Sequence, residues 1–300
     1  MWPQLLLQLR QHHFKALARC ISLVENEVTG YHDFLAQLPS TKSTAIIGLT
    51  GAPGAGKSTL TDALIDALVA NNKRVGVLCV DPSSPFNLGA LLGDRIRMSN
   101  WYNHPYVFIR SLATRGSLGG LHPHIIEIMS VMQAAGFDYI IVETVGVGQS
   151  EIEIAGLADT TVVVVVPESG DEVQTMKAGL MEIADIFVVN KSDRPDADSF
   201  VHNLRQLLAP TYHNASWQAP IVKTIASQKQ GISELVNCIQ QHLQQLTVSD
   251  KKYWLLAERA YQLIQQQRMK NINKQQLKNA IIAAHQADNF NLYTFIHNLG

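Results

Sequence analysis

The sequence has few of the features that mark an exported or membrane-spanning protein. Its three cysteines, Cys20, Cys79 and Cys238, are far apart and odd in number, which argues against a disulfide framework and against a CxxC metal site. The longest apolar run, residues 161–167, is far too short to cross a bilayer. The N-terminal residues lack the basic start and the small-residue cleavage site of a signal peptide. We therefore expect a soluble protein of the cytoplasm.

An excess of either charge is also missing. The 300 residues include 24 Lys and Arg against 25 Asp and Glu, which gives a formal net charge of −1. Without a basic excess to displace phosphate counterions, nucleic acid is not expected to be the main partner. Hydrophobic residues make up 46% of the chain and charged residues only 16%. A large core can therefore form, and general disorder is excluded.

The hydrophobic pattern divides the chain into three parts. Residues 1–40 carry apolar residues at helical spacing and predict a helical N-terminal segment. In residues 41–248, short β-branched runs alternate with helical stretches, which predicts an α/β domain with a parallel sheet covered by helices on both faces. Residues 249–300 predict a helical C-terminal extension. The predicted strands are 45–50, 75–81, 107–110, 139–143, 161–166, 186–190 and 221–224.

The first predicted strand runs directly into a glycine-rich loop that is followed by an apolar-periodic helix. This is the GxxxxGK[ST] pattern in the strand–loop–helix context that it requires, and it predicts a P-loop NTPase fold. Glycines let backbone N–H groups turn towards a phosphate at a helix N-terminus. Lys57 can neutralise the β- and γ-phosphates, and Ser58 can offer its hydroxyl to Mg²⁺. The predicted phosphate-binding residues are Gly51, Ala52, Pro53, Gly54, Ala55, Gly56, Lys57, Ser58 and Thr59.

A second motif, Asn190-Lys191-Ser192-Asp193, follows the predicted strand that contains residues 186–190. The Asp193 carboxylate can accept hydrogen bonds from guanine N1–H and from the exocyclic amino group, whereas adenine would leave it partly unpaired. The backbone N–H of Ala226 could add a hydrogen bond to guanine O6. The motif therefore favours GTP and GDP as ligands, with Asn190, Lys191, Asp193 and Ala226 as the predicted guanine-binding residues.

Three acidic residues lie at strand ends or in a glycine-containing loop. Asp81 and Glu143 close predicted strands, and Asp94 follows a glycine in residues 92–97. Carboxyl ends of parallel strands line one crevice, so Asp81 and Glu143 are expected to converge on the phosphates. The alternative for an acid at such a position is a helix N-cap.

At this point the sequence resembles a known family, the MeaB/ArgK GTPases associated with methylmalonyl-CoA mutase. The stretch from Glu143 to Gln149, Glu-Thr-Val-Gly-Val-Gly-Gln, is highly specific to this group. The matching segments are 51–59, 80–84, 92–98, 108–110, 116–120, 142–151, 170–177, 182–185 and 190–193. The resemblance implies that Mg²⁺ is surrounded by Ser58, Asp81, Asp94 and Glu143, directly or through water. It also implies catalytic roles for Lys57, Asp94 and Glu143.

The expected activity is slow GTP hydrolysis that a partner accelerates. Gly146 is followed by Val147, which cannot orient the attacking water as a glutamine does at this position of Ras-type GTPases. The resemblance implies that the partner is an adenosylcobalamin-dependent acyl-CoA mutase whose cofactor loading and protection are gated by GTP. It also implies a homodimer formed through the C-terminal extension, although this extension could instead pack on its own domain. The predicted switch and coupling residues are Arg97, Gly146, Gln149, Asp171, Gln174 and Lys177.

Three other functions compete with this interpretation. A nickel metallochaperone GTPase would need a Cys/His cluster, and the candidates are His12, His13, His122 and His124, for which a surface or helix-cap role is the simpler assignment. A kinase associated with lysine, arginine and ornithine transport would need a phosphoacceptor site, which no motif supplies. A structural GTP-binding scaffold would not need the full set of Mg²⁺ ligands.

Overall fold

The β-branched runs of the sequence form one seven-stranded sheet in the computed structural model of the chain. All neighbouring strands are parallel, and their order is β3-β2-β4-β1-β5-β6-β7. The predicted α/β class and all seven strands are confirmed, although β3 is three residues longer than the expected 107–110. The strands are β1 (Ala45–Gly51), β2 (Val75–Asp81), β3 (Val107–Ala113), β4 (Tyr139–Glu143), β5 (Thr160–Val165), β6 (Ile186–Val189) and β7 (Ile221–Lys223).

Twelve α-helices precede, connect and follow the strands within the residues that the structure describes, which are 1–39, 44–81, 98–114, 121–144, 150–169, 178–209, 217–245, 250–269, 274–286 and 290–297. The predicted N-terminal helices are α1 (Trp2–Arg10), α2 (Phe14–Glu25) and α3 (Tyr31–Ala36). Six of the twelve helices connect the strands or follow the last one. They are α4 (Lys57–Ala70), α5 (Ile125–Ala134), α6 (Ser150–Leu157), α7 (Ala178–Ile183), α8 (Ala197–Leu208) and α9 (Ile232–Gln245). The predicted C-terminal helices are α10 (Asp250–Met269), α11 (Lys274–His285) and α12 (Leu292–His297).

The hydrophobic core lies on both faces of the sheet. On one face, Val162 and Val164 of β5 belong to a cluster with α4 and α9. On the other face, Val163 and Val165 pack with Phe200 and its neighbours in α8. Every residue of β5 is buried, because successive side chains point to opposite faces and both faces are covered. This explains why the strand contains four consecutive valines, Val162 to Val165, without a polar alternation.

The chain divides into two compact units, Met1–Lys252 and Tyr253–Gly300. The first unit contains the sheet together with helices α1–α3, of which α2 packs against α5. In the second unit large apolar side chains are exposed, among them Trp254 at 76% and Tyr293 at 81%. In the described part of the chain, no helix has the length and apolar character needed to span a bilayer.

Candidate nucleotide-binding site

The glycine-rich loop connects the end of β1 to the start of α4. Gly54 and Gly56 have φ values of +79° and +91°, a region that residues with a Cβ rarely adopt. Gly51 is required for a different reason, since a Cβ there would lie 2.1 Å from the carbonyl oxygen of Val164 in β5. Among the described residues, no side chain caps the first turn of α4. The N–H groups and the dipole of this turn form the kind of helix terminus that binds a phosphate.

Lys57 places its ammonium group at the phosphate loop. Its Nζ donates to the carbonyl oxygens of Gly51 at 2.8 Å and Ala52 at 3.1 Å, and the residue is buried. The loop therefore holds a positive charge on a fixed side chain beside the N-terminus of α4. This arrangement suits an anion such as the β- or γ-phosphate.

Glu143 of β4 is linked to the helix that follows the phosphate loop. The Ser58 hydroxyl donates to Glu143 Oε1 at 2.7 Å, and the Thr61 Oγ1 lies 2.9 Å from Oε2. The Glu143 side chain is buried, and its strand pairs with β1 so that Glu143 lies opposite Leu49. Glu143 is thus bonded to two side chains of α4. The structure brings two of the four predicted Mg²⁺ ligands, Ser58 and Glu143, into contact.

Thr61 is a site residue that the sequence analysis missed. It lies three residues after Ser58, so both hydroxyls point to the same side of α4. Helical spacing from the loop serine could have identified it. The hydroxyl and carboxylate oxygens at this position match the hard oxygen ligands that Mg²⁺ prefers, so the residues present fit the ion that the fold implies.

Several predicted residues cannot be placed around this pair. The backbone of Asp81 closes β2, but its side chain lies outside the described part of the structure. The predicted ligand Asp94 and the predicted switch and coupling residues also lie outside the described residues, namely Arg97, Gly146, Gln149, Asp171, Gln174 and Lys177. Their roles stay predictions.

Asn190 connects the base-recognition motif to the phosphate loop. Its Nδ2 donates to the carbonyl oxygen of Ala55 at 2.9 Å, and its Oδ1 accepts from the Thr224 hydroxyl and from the Ala226 N–H, both at 3.1 Å. The residue is 2% exposed. The amide thus ties together the phosphate loop and the loop after β7. It also binds the Ala226 N–H, which the sequence analysis assigned to guanine O6.

Lys191 adds a second connection between the same two motifs. Its Nζ donates to the carbonyl oxygen of Gly54 at 2.8 Å, and its backbone adopts a positive φ of 55°. The turn that follows is closed by a hydrogen bond from the Arg194 N–H to the Lys191 carbonyl oxygen at 3.1 Å. Asp193 lies within this turn and is exposed, so its carboxylate is accessible to a ligand.

These loops enclose a cavity of about 240 Å³. Its lining combines phosphate-loop residues with all four residues predicted to bind guanine. Arg194, Ile225 and Ser227 were not predicted from the motifs, although each adjoins a predicted position. The complete lining is Gly56, Thr59, Asn190, Lys191, Asp193, Arg194, Ile225, Ala226 and Ser227. A purine base that enters this cavity would meet Asp193 on one side and the loop after β7 on the other.

The histidines and cysteines that the structure describes are not clustered as the ligands of a metal centre would be. His122 is 1% exposed, so a surface role is wrong for it, and its Nδ1 accepts the N–H of His124 at 3.1 Å. His124 directly precedes α5. Burial raises the pKa of the Cys20 thiol to about 11 and also raises the pKa of Cys238, which keeps both thiols protonated at neutral pH. Within the described residues, no group of three or more His, Cys, Asp and Glu side chains is placed to hold a metal ion.

Comparison with protein families and with curated proteins gives consistent matches. The family described as "Methylmalonyl Co-A mutase-associated GTPase MeaB" matches residues 17–285 of the chain. A Pyrococcus abyssi protein is 48% identical over 246 residues, which cover 81% of this chain and 76% of that one. GTPase ArgK of Escherichia coli is 37% identical over 254 residues, with 81% and 76% coverage.

Two further matches concern a longer protein and a solved structure. The Geobacillus kaustophilus protein named fused isobutyryl-CoA mutase is 37% identical over 228 residues, which cover 71% of this chain and 21% of that protein. The crystal structure titled LAO/AO transport system kinase superposes with a TM-score of 0.70 at 27% identity, covering 99% of this chain and 96% of that one. The match to the crystal structure, which covers 99% of the chain, includes the α/β unit that carries the phosphate loop and the cavity.

Proposed function

Since the chain belongs to the MeaB family of mutase-associated GTPases, we propose that it uses GTP to control an adenosylcobalamin-dependent acyl-CoA mutase. The mutase would be of the methylmalonyl-CoA mutase type, and the controlled steps would be the loading and protection of its cofactor. That the chain is a GTPase follows from the family and from relatives such as GTPase ArgK. The family membership agrees with the resemblance that the motifs indicated.

One comparison carries the proposal of a mutase partner. The relative named fused isobutyryl-CoA mutase aligns with this chain, at 37% identity, over only 21% of its own length. The remainder of that protein is long enough for an acyl-CoA mutase that is covalently joined to a GTPase-like part. We infer that the present chain associates with a separate enzyme of the same class. A GTPase and a mutase that are fused in one protein can make the same contacts as two separate chains in a complex.

The geometry of the site supports the assignment of roles in GTP hydrolysis. The loop from Gly51 to Thr59 would bind the phosphates, with Lys57 offsetting their negative charge. Ser58 and Glu143, together with Asp81 and Asp94, would hold Mg²⁺. When bound, this ion would stabilise negative charge on the transferred phosphoryl group. Lys57, Asp94 and Glu143 are the proposed catalytic residues.

Base recognition is proposed to lie in the cavity beside Asp193. Its carboxylate would accept two hydrogen bonds from guanine. Asn190 and Lys191 would keep this motif in place by their hydrogen bonds to the carbonyl oxygens of the phosphate loop. Ala226 is the fourth proposed guanine-binding residue because it lines the cavity, although its N–H is bonded to Asn190. Replacement of Asp193 by asparagine should shift the preference from guanine to xanthine nucleotides, because the amide reverses one donor–acceptor match.

Coupling to the mutase is proposed to use the switch residues that the sequence indicates, which are Arg97, Gly146, Gln149, Asp171, Gln174 and Lys177. The segment 249–300 is proposed to form a homodimer. Exposed side chains such as Trp254 and Tyr293 support this role, since apolar surface of this kind is characteristic of interfaces.

The proposed partner can be tested with a variant that changes the nucleotide preference of the chain and leaves the rest of its surface intact. Purified chain and a candidate mutase would be combined with GTP or with XTP, and phosphate release would be followed. The unmodified chain should be stimulated by the mutase with GTP, and Asp193→Asn should be stimulated with XTP. If the mutase changes neither rate, and no complex is recovered with GTP or GDP, the proposed partner is wrong.

A further inference from the structure

Arg194 is a cavity residue to which the proposed mechanism gives no role. Its guanidinium forms an ion pair and a hydrogen bond with Glu168, and Arg194 is one of the residues that line the cavity, next to Asp193. Among the ion pairs of the described residues, this pair alone includes a residue of the cavity wall. The side chains of Arg194 and Glu168 are 44% and 47% exposed, so a ligand in the cavity can reach the guanidinium.

The backbone fixes both ends of this pair. Glu168 lies in the short 3₁₀-helix Pro167–Ser169 that follows β5, and Arg194 lies in the turn that follows β6. Val165 and Val189 are paired neighbours in these two strands, so the two loops leave the sheet side by side. A hydrogen bond from the Asn190 N–H to the Val165 carbonyl oxygen at 2.9 Å extends this pairing by one residue.

The chemistry of a held guanidinium explains what the pair can do. A free arginine side chain samples many rotamers, and fixing it costs conformational entropy when a ligand binds. The Glu168 carboxylate restricts Arg194 before the ligand arrives. A planar guanidinium can then stack on a purine ring or donate to a ribose hydroxyl. Because Arg194 directly follows Asp193, its guanidinium would contact the base and ribose end of a nucleotide and not the phosphates.

We propose that Arg194 is a nucleotide-contacting residue at the base and ribose end of the site, and that Glu168 is a positioning residue that acts through it. The proposal rests on the proposed placement of guanine beside Asp193. It requires no mutase partner, so it can be tested on the isolated chain.

The test is a double-mutant cycle on the rate at which fluorescent mant-GDP dissociates. Arg194→Ala should speed dissociation about two- to fivefold, the equivalent of an exposed cation–π contact. Glu168→Gln should give a smaller increase, and the double variant should match Arg194→Ala alone, because Glu168 has no effect without its arginine. A matched control is Asp198→Asn, which removes the exposed ion pair between Lys223 and Asp198, neither of which lines the cavity, and should leave the rate unchanged.

Melting temperatures separate this role from a structural one, since all four variants should melt like the unmodified chain. If Arg194→Ala does not fold, Arg194→Lys keeps the charge but loses the planar group, and it should show the faster dissociation instead. An unchanged rate in the folded arginine variant, or a Glu168→Gln effect that persists in the Arg194→Ala background, would overturn the proposal. Competition between GDP and ADP on the unmodified chain tests the guanine placement independently: equal binding would refute that placement itself.

Discussion

Replacement of Asn190 by alanine should weaken both the fold and nucleotide binding, because this side chain joins two loops of the site. The change removes three hydrogen bonds, to Ala55, Thr224 and Ala226. The Thr224 hydroxyl is free to rotate about its bond to Cβ, whereas the Ala55 carbonyl and the Ala226 N–H are fixed by the backbone and lose their partner in a buried place.

The size of the effect follows from these lost bonds. A buried polar group that loses its partner costs about 1–3 kcal/mol, so two such groups predict a loss of about 3 kcal/mol in the free energy of unfolding. The loop after β7 would also lose its fixed position against the phosphate loop. If the GDP-bound state is destabilised by about 1.4 kcal/mol more than the free protein, the affinity for GDP drops about tenfold.

Urea denaturation and calorimetric titration with GDP measure the two effects. A matched control is Asn26→Ala, because Asn26 is exposed and donates a single hydrogen bond to the Ser22 carbonyl oxygen at 2.7 Å. Asn190→Asp separates shape from hydrogen bonding, since its carboxylate can accept from Ala226 but places an oxygen against the Ala55 carbonyl. An Asn190→Ala variant that unfolds and binds GDP like the unmodified chain would refute the reasoning.

Three further substitutions test other parts of the structure. Gly51→Ala should abolish GDP binding and lower the melting temperature, because its Cβ would lie 2.1 Å from a carbonyl oxygen of β5. Glu25→Gln should cost about 2 kcal/mol in urea denaturation, since it breaks a partly buried ion pair with Arg110 at 2.5 Å. Burial lowers the pKa of His242 below its usual 6.5 although Asp185 opposes this, so the unfolded state binds the proton more readily. Its contribution to stability should be complete at pH 8 and decline as the pH falls below 6.5, and His242→Gln should flatten that decline.

The strands and the phosphate loop could be predicted because their signals are local. Most strands are short, mainly apolar runs, since a parallel sheet covered on both faces buries most of its side chains. The phosphate loop requires glycines at Gly51, Gly54 and Gly56, and a lysine and a serine at fixed positions after them. The end of β3 was missed because Arg110 and Ser111 interrupt its apolar run, although the backbone pairing with β2 continues to Ala113.

The contacts between loops could not be predicted, because they depend on the order of the strands in space. The resemblance implied that Ser58 and Glu143 surround one ion, whereas the hydrogen bond from Thr61 to Glu143 depends on the position of β4 between β2 and β1, which the sequence does not indicate. In the same way, the pair of Arg194 and Glu168 exists only because β5 and β6 are neighbours. The sequence separation of 26 residues gives no sign of the contact.

Hydrogen bonds join the phosphate and base sites, so binding of a nucleotide at one site affects binding at the other. Asn190 bonds to the carbonyl of Ala55, Lys191 bonds to the carbonyl of Gly54, and a Cβ on Gly56 would lie 2.4 Å from Asn190 Nδ2. The base motif therefore constrains the same backbone whose N–H groups would face the phosphates. A change at either end of the nucleotide must be accommodated by both loops, because neither can move without breaking these bonds. Binding energy at the base can thus help to order the phosphate loop, and by thermodynamic reciprocity the phosphates can tighten the hold on the base.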